Sequence, residues 1–461
     1  MTEGTSINNK STNSVMSERR NAEQRTSYQW YVVGICMVAY IFSYVDRLVL
    51  NLLIEPIRAD LDITDTQFSL VSGMAFALFY AAMGVPIARL ADGYSRPAII
   101  STGIFLWSIA TAACGLARNF WQLFVARMFV GVGEAALSPP TYSMIADLFP
   151  KEKLGRALGI YSMGSCIGVG LAWIIGGAVI QAIGALESIA VPLIGELRPW
   201  QFTFMVVGLP GILIAALMSI TVRDPQRHGL EITASGNAPV SLRRSVAFMI
   251  SHHRTFAFLF GGFTCTALAM FALLGWAPAI FQRIHGLSKA ESGFYLGSIA
   301  LLCNTSGVFF SGWLMDRFSK SGDTAAAVKS GMVGGLGLIV PVILFPLVSN
   351  TNAALALFGV AMFFSQFPMA TSAGAVQVLA PNQMRAQIIA ILLLVFFVLG
   401  LGVGNTMVGV FTDYIFGYDD AVGYSIGLIC GVASAVGTLM LWRGLAPFRL
   451  SIAAIELRTD H

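Results

Sequence analysis

Apolar positions run through this chain in long unbroken blocks, without the half-filled helical stripes of a soluble fold. Twelve stretches are long enough, at about 20 residues or more, to cross a hydrocarbon layer as helices. They fall at 29–52, 67–90, 97–117, 120–147, 155–183, 200–222, 255–282, 290–315, 328–349, 353–379, 386–416 and 421–442. Short polar turns separate them, except for one long polar interruption from Arg223 to Arg254 that divides the spans six and six. The pattern predicts an all-α membrane protein of two six-helix bundles, residues 28–222 and 255–443, with a linker over 223–254 and a cytoplasmic tail over 444–461. The leading stretch 1–27 is polar throughout, without the apolar core of a signal peptide, and its low hydrophobicity predicts a disordered tail. Inside the linker, SLRRSVAFMISHH reads as a short amphipathic helix whose Val246, Phe248, Met249 and Ile250 can rest on a membrane surface.

The two halves repeat. Span two opens with the capping pattern Thr64-x-x-Gln67 and span eight with Ser288-x-x-Glu291. A constant offset of 224 then pairs Gly73 with Gly297, Ala88 with Gly312, Asp92 with Asp316 and Arg96 with Lys320. Two spans of equal length ending in the same acidic-basic turn mark a pair of parallel six-helix repeats.

Composition agrees: 56% of residues are hydrophobic and only 11% charged, against about 25% charged in globular chains. With spans alternating from an inner N-terminus, 21 of the 28 Lys and Arg residues fall on one side of the membrane. The positive-inside rule therefore places both termini in the cytoplasm. The net charge of +4 is this topological bias and implies no nucleic-acid partner. The six cysteines are isolated within spans, with no disulfide or metal spacing, and the five histidines lie in loops or at a terminus. No metal site, cofactor or enzyme constellation is expected. A G-x-x-x-x-G-K-[ST] loop is absent, which excludes a nucleotide-driven pump as a single chain.

Four charges break the apolar pattern, all in the first half. They are Asp46 and Arg47 in YIFSYVDRLVL, and Arg127 and Glu134 in LFVARMFVGVGEAAL. An ionisable group at membrane depth is costly and usually faces a protein interior or wet cavity. Arg127 and Glu134 are seven residues apart and so share one helix face. At about 1.5 Å per residue, Glu134 falls near the midplane and the other three in the outer part of the membrane. Their charges sum to zero, and pairing of Asp46 with Arg127 would leave Arg47 or Glu134 for substrate and protons. Desolvation favours the neutral form of such a carboxylate and a nearby guanidinium favours the anion. A conformational change that alters the Arg contact would then move a proton, with Asp46 and Glu134 as the protonation sites. Pro139-Pro140, just after Glu134, is expected to bend span four. Gly155, Gly159, Gly164 and Gly168 in span five, with Gly400 and Gly404 in span eleven, have the four-residue spacing of close helix approach.

The turns ARLADGYSRP (88–97) and GWLMDRFSKS (312–321) resemble the signature turn of the major facilitator superfamily and its repeat. The resemblance implies a conformational latch formed by Asp92, Arg96, Asp316 and Arg317, which brace the cytoplasmic ends of neighbouring helices. Gly93 stands where Arg is usual and Ala88 where Gly is usual, so the first copy is expected to be the weaker. SYVDR (43–47), FLWSIAT (105–111) and ARMFVGVGEAALSPPTYSMIADLFP (126–150) resemble the Spinster family within it, whose known members transport lipids such as sphingosine phosphate or lysophospholipids. The superfamily arrangement implies that helices one, four, seven and ten line a central cavity reached by all four charges, with Arg47, Arg127 and Glu134 at the substrate.

The repeat alignment sets Asp46 and Arg47 opposite Leu268–Phe271, and Glu134 near Ser365. The second-half cavity wall is therefore uncharged, with Thr264, Thr266, Asn304, Gln366 and Asn405 as candidate substrate contacts beside Phe363, Phe364, Phe367 and Met369. A charged wall facing an apolar one suits an amphiphile with a polar head and an apolar tail. The expected protein is a monomeric secondary transporter of a lipid-like substrate in the inner (plasma) membrane. It would be proton-coupled and work by alternating access; the alternatives are an organic-anion symporter and a multidrug exporter.

Overall fold

Among the described residues there are twelve helical spans, and all but the last end within about five residues of the apolar blocks. The computed structural model describes residues 5–183, 188–192, 195–227, 242–381 and 383–459. Span one is Thr26–Leu52, two Asp65–Gly93, three Arg96–Cys114, four Phe120–Leu148, five Glu152–Ile183 and six Pro199–Thr221. Span seven is His253–Arg283, eight Lys289–Lys320, nine Ala326–Leu344, ten Thr351–Leu379, eleven Gln387–Phe416 and twelve Asp419–Ile455.

The repeat appears in local structure. Both capping boxes form: the Thr64 hydroxyl accepts from the Gln67 N–H at 3.2 Å and the Ser288 hydroxyl from the Glu291 N–H at 3.2 Å, while each partner side chain reaches back to the cap N–H. Span four breaks between the helices Phe120–Glu134 and Ser138–Leu148, as Pro139-Pro140 requires. Span ten breaks at the matching place, between Thr351–Ser365 and Phe367–Leu379, beside Pro368. The pairing of Glu134 with Ser365 thus puts both residues at the ends of broken half-helices.

Both termini depart from expectation. Span one belongs to a helix running from Thr5 to Leu52, so the stretch expected to be disordered is helical from Thr5 onward. Its Glu, Gln, Arg and Ala residues tolerate a helix, and extending a helix already formed needs no new nucleus. The last helix likewise runs from Val422 to Thr459, through the stretch expected as a tail. Phe448 and Ile452 are buried there, an apolar face that a search for full-length apolar blocks passes over. A small antiparallel hairpin between spans five and six, β1 (Ile189–Val191) and β2 (Gly195–Leu197), was also not foreseen. The linker does hold a helix, Leu242–Ser251. It docks through buried Ser245, whose hydroxyl donates to Gln387 Oε1 at 2.6 Å, and leaves Val246 and Ile250 exposed. His228 and His461 lie outside the described residues.

The halves meet along spans five and eight, two and eleven, and one and seven. Gly170 and Gly177 lie against Gly297 and Gly293 of span eight, at separations that leave no room for a Cβ. A Cβ on Gly73 of span two would stand 2.6 Å from the Leu401 carbonyl oxygen of span eleven. Both of these spans carry π-helical turns at this crossing, Leu70–Met74 and Phe396–Gly404. Such turns often mark functional positions in helices. Gly164 and Gly168 pack on span one, and Gly400 and Gly404 on span seven, as their spacing suggested; Gly155 and Gly159 face open space.

Candidate functional site

Glu134 is the last residue of the first half-helix of span four, and the turn after it carries the Leu137 N–H to the Glu134 carbonyl at 3.1 Å. The break leaves its side chain at the centre of the first half, where it meets span one. Its carboxylate forms an ion pair with the Arg47 guanidinium. Asp46, Arg127 and Glu134 are 0%, 0% and 2% exposed and Arg47 7%, so the whole cluster is withdrawn from solvent.

The pairing differs from the one expected. Arg127 donates to the backbone carbonyl of Asp46 at 3.2 Å, not to its carboxylate. Neither Asp46 carboxylate oxygen accepts a hydrogen bond, nor does Glu134 Oε1, and Arg127 Nε and Nη2 have no acceptor. The Trp107 indole lies beside the Asp46 carboxylate without closing a hydrogen bond of good geometry. Adjacent residues on a helix point about 100° apart. Only one of Asp46 and Arg47 can therefore turn fully toward Glu134, and Arg47 takes that place.

Aromatic rings complete the Arg47 environment. Its guanidinium lies 4.3 Å from the Phe76 ring centroid, 4.9 Å from Tyr44, 5.8 Å from Tyr80 and 5.9 Å from Phe397. Arg127 lies 5.7 Å from the same Phe76, so this ring has two cations near it, each attracted by the ring quadrupole. Phe76 and Tyr80 stand four apart on span two and Phe397 comes from span eleven; one apolar residue among many gave no sign of this role in the sequence. On the far side of Arg47 is a gap of about 20 Å³ lined by Arg47, Asn51, Ser72 and Asn405 with apolar neighbours. That is room for about one water molecule, and the buried Asn51 and Asn405 side-chain carbonyls lack partners there.

The second-half candidates divide. Asn405 reaches the gap beside Arg47. Thr264, Asn304 and Gln366 are buried; the Thr264 hydroxyl and both polar atoms of Asn304 lack partners, and Gln366 donates to Ser365 Oγ at 3.3 Å. Thr266 turns away. Its hydroxyl donates to the Phe263 carbonyl at 3.0 Å and its methyl packs toward Gly335 and Gly437 of spans nine and twelve. Thr264 and Thr266 are two apart on a helix and so point to nearly opposite faces. Phe363, Phe364 and Phe367 meet edge-on or tilted and, with Phe310, form an aromatic patch. Beside it a groove of about 540 Å³, lined by apolar residues such as Ile299, Leu355 and Phe364, runs between spans eight and ten.

The expected latch residues are not joined to one another. Asp92, Asp316 and Arg317 are exposed, and none of their side chains enters an ion pair described here. Arg96 is buried but bonds within its own half. It pairs with Asp147 of span four and with Asp224, at 2.8 Å, and donates to the Ser143 hydroxyl at 3.1 Å. The turn after span two is closed by Arg227, which donates to the Asp92, Ala91 and Tyr94 carbonyls. In the second half at this end, Asp323 binds Lys329 and Arg449. The ion pairs described at this end, the one carrying the termini, thus stay within one half. At the opposite end three of them cross between halves: Arg283 binds Glu55 and Asp65, and Arg58 binds Asp419.

Comparison with known proteins gives this geometry its family. Residues 36–405 match the Major Facilitator Superfamily. An MFS-type efflux pump of Mycolicibacterium smegmatis is 24% identical over 92% of this chain and 94% of its own length. A probable L-galactonate transporter of Escherichia coli is 25% identical over 87% and 86%. Protein spinster of Drosophila melanogaster is 25% identical over 68% of this chain and 51% of its own length. Among solved structures, a bacterial homolog of the human lysosomal transporter Spinster, inward-facing and unoccupied, superposes with a TM-score of 0.76 at 25% identity, over 92% of this chain and 97% of that one. The chain belongs to the major facilitator superfamily, as a Spinster-like membrane transporter.

Proposed function

We propose that this transporter moves an amphiphilic, lipid-like anion, of the lysophospholipid or sphingoid phosphate class, by alternating access coupled to protons. The observation that carries the reading is the asymmetry of the interior. Every buried charge of the central cluster belongs to spans one and four, while the second half brings uncharged side chains to it, among them Asn405, Phe271 and Phe397; Phe363, Phe364 and Phe367 pack instead on spans eight and nine. An anionic headgroup arriving at Arg47 competes with Glu134 for the guanidinium. Glu134, released from its partner in a water-poor site, then takes up a proton. Asp46, a buried carboxylate with no donor, is the second site of proton exchange. Arg127 anchors the span-one backbone and presents its free N–H groups to the same space. The apolar groove between spans eight and ten has room for an acyl chain.

Orientation follows from the Lys and Arg bias: both termini lie in the cytoplasm of a bacterial-type inner membrane. On this reading the sealed end faces outward and closes the transporter to that side. A monomer suffices for this cycle. The second reading, a symporter of short organic acids, draws support from the L-galactonate relative and uses the same Arg47. A thermal-shift screen of the purified protein separates them. Lysophospholipids or sphingoid phosphates should raise the melting temperature, and Arg47→Ala should abolish the rise. Stabilisation by galactonate-type acids alone would replace the lipid reading with the second one.

A further inference from the structure

The end of the molecule opposite the termini is closed by a ring of six charged side chains drawn from both halves. Arg283, the last residue of span seven, is its centre. Its Nε lies 2.6 Å from Glu55, and its two terminal nitrogens grip the Asp65 carboxylate at 2.7 and 2.8 Å. It also donates to the Asp419 carbonyl at 3.0 Å. Arg58 lies 3.0 Å from Asp65 and 2.9 Å from Asp419. Asp413 of span eleven accepts from the N–H groups of Asp65 and Thr66 at the start of span two, at 3.3 and 2.6 Å. Gln282, next to Arg283, adds a bond to the Leu52 carbonyl at 3.3 Å.

We infer that Arg283 is the keystone of an ion-pair gate whose breakage opens this end of the transporter. The inference rests on the alternating-access reading above. Three features distinguish a gate from a static staple. First, the ring is unbalanced: Glu55, Asp65, Asp413 and Asp419 face two arginines, so removing either arginine leaves four carboxylates around one cation. Second, the Arg283 side chain is 5% exposed and that of Asp65 fully buried. Losing one partner of such a pair is far costlier than losing a surface pair, whereas separating the halves returns both to water. Third, span two carries Asp65 at the gate and Phe76 between the two buried arginines of the site. One helix therefore touches both places.

The test measures the distance between spin labels at Asp62→Cys and Tyr418→Cys, exposed positions on either side of the ring, in otherwise cysteine-free full-length protein. The parent protein should show mainly the short distance. Arg283→Gln should move the closed-to-open ratio by about tenfold or more, and Arg283→Lys, which keeps the charge but loses the fork, by less. If both variants keep the parent distribution while lysophospholipid or a pH change still opens the parent, the gate assignment is overturned and alternating access stands. If no condition lengthens the distance in any protein, alternating access itself fails and the gate with it.

Discussion

Neutralising Glu134 and neutralising Asp46 should have unlike effects on the fold, because one carboxylate has a partner and the other has none. Glu134→Gln leaves the buried Arg47 guanidinium without its counter-charge and should destabilise by about 3–5 kcal/mol, the cost of breaking a buried pair. Asp46→Asn removes no hydrogen bond and should stay within about 1 kcal/mol of the parent. Thermal unfolding in one detergent measures both; equal losses would contradict the pairing. The sequence displayed all four charges, because a charge inside an apolar block is conspicuous. It did not display who pairs with whom. That choice depends on helix rotation, which sets Arg47 toward Glu134 and leaves Asp46 to offer only its backbone carbonyl to Arg127. The rings around Arg47 were hidden for a related reason: Phe76, Tyr80 and Phe397 are ordinary membrane residues until spans two and eleven are packed.

Elements were legible where their signals are local. Capping boxes, the proline break of span four and the amphipathic linker helix each rest on a few neighbouring residues, and each is present. Tertiary support decided the rest: the last helix continues past 443 because Phe448 and Ile452 find a core to pack on. The crossing of spans two and eleven at their π-helical turns makes Gly73 a sensitive position. Gly73→Ala drives a Cβ into the Leu401 carbonyl and should cost the closed crossing about 1–3 kcal/mol. Disulfide trapping across that end should become slower in the variant, and an unchanged rate would argue against a tight crossing. The turn before span nine has its own test. Although partial burial opposes ionisation, the Lys329 ion pair, the Ala325 N–H and Arg449 lower the Asp323 carboxyl from 3.8 to about 2. A depressed carboxyl stabilises the fold above its unfolded value and loses that contribution as pH falls toward its folded one. The parent should therefore melt higher than Asp323→Asn at neutral pH, with the difference vanishing between about pH 4 and pH 2. A difference that persists at pH 2 would contradict the assignment.

For the whole molecule, the twofold repeat supplies two similar halves and the four charges supply their asymmetry. Two six-helix halves, joined firmly at one end and parted in their ion pairs at the other, form a device with one face closed. The signature turns identified the family, yet their acidic residues stand unengaged here, and Arg96, Asp147 and Asp224 brace the first half instead. In the proposed cycle, protons bound at Asp46 and Glu134 drive movement of an anionic amphiphile past Arg47. The most direct measurement is lysophospholipid uptake into proteoliposomes under an imposed pH gradient, for the parent, Asp46→Asn and Glu134→Gln. The gradient should accelerate the parent, and both variants should lose this acceleration while still exchanging substrate without a gradient. Equal acceleration of all three proteins, or none in the parent, would contradict the proposed cycle.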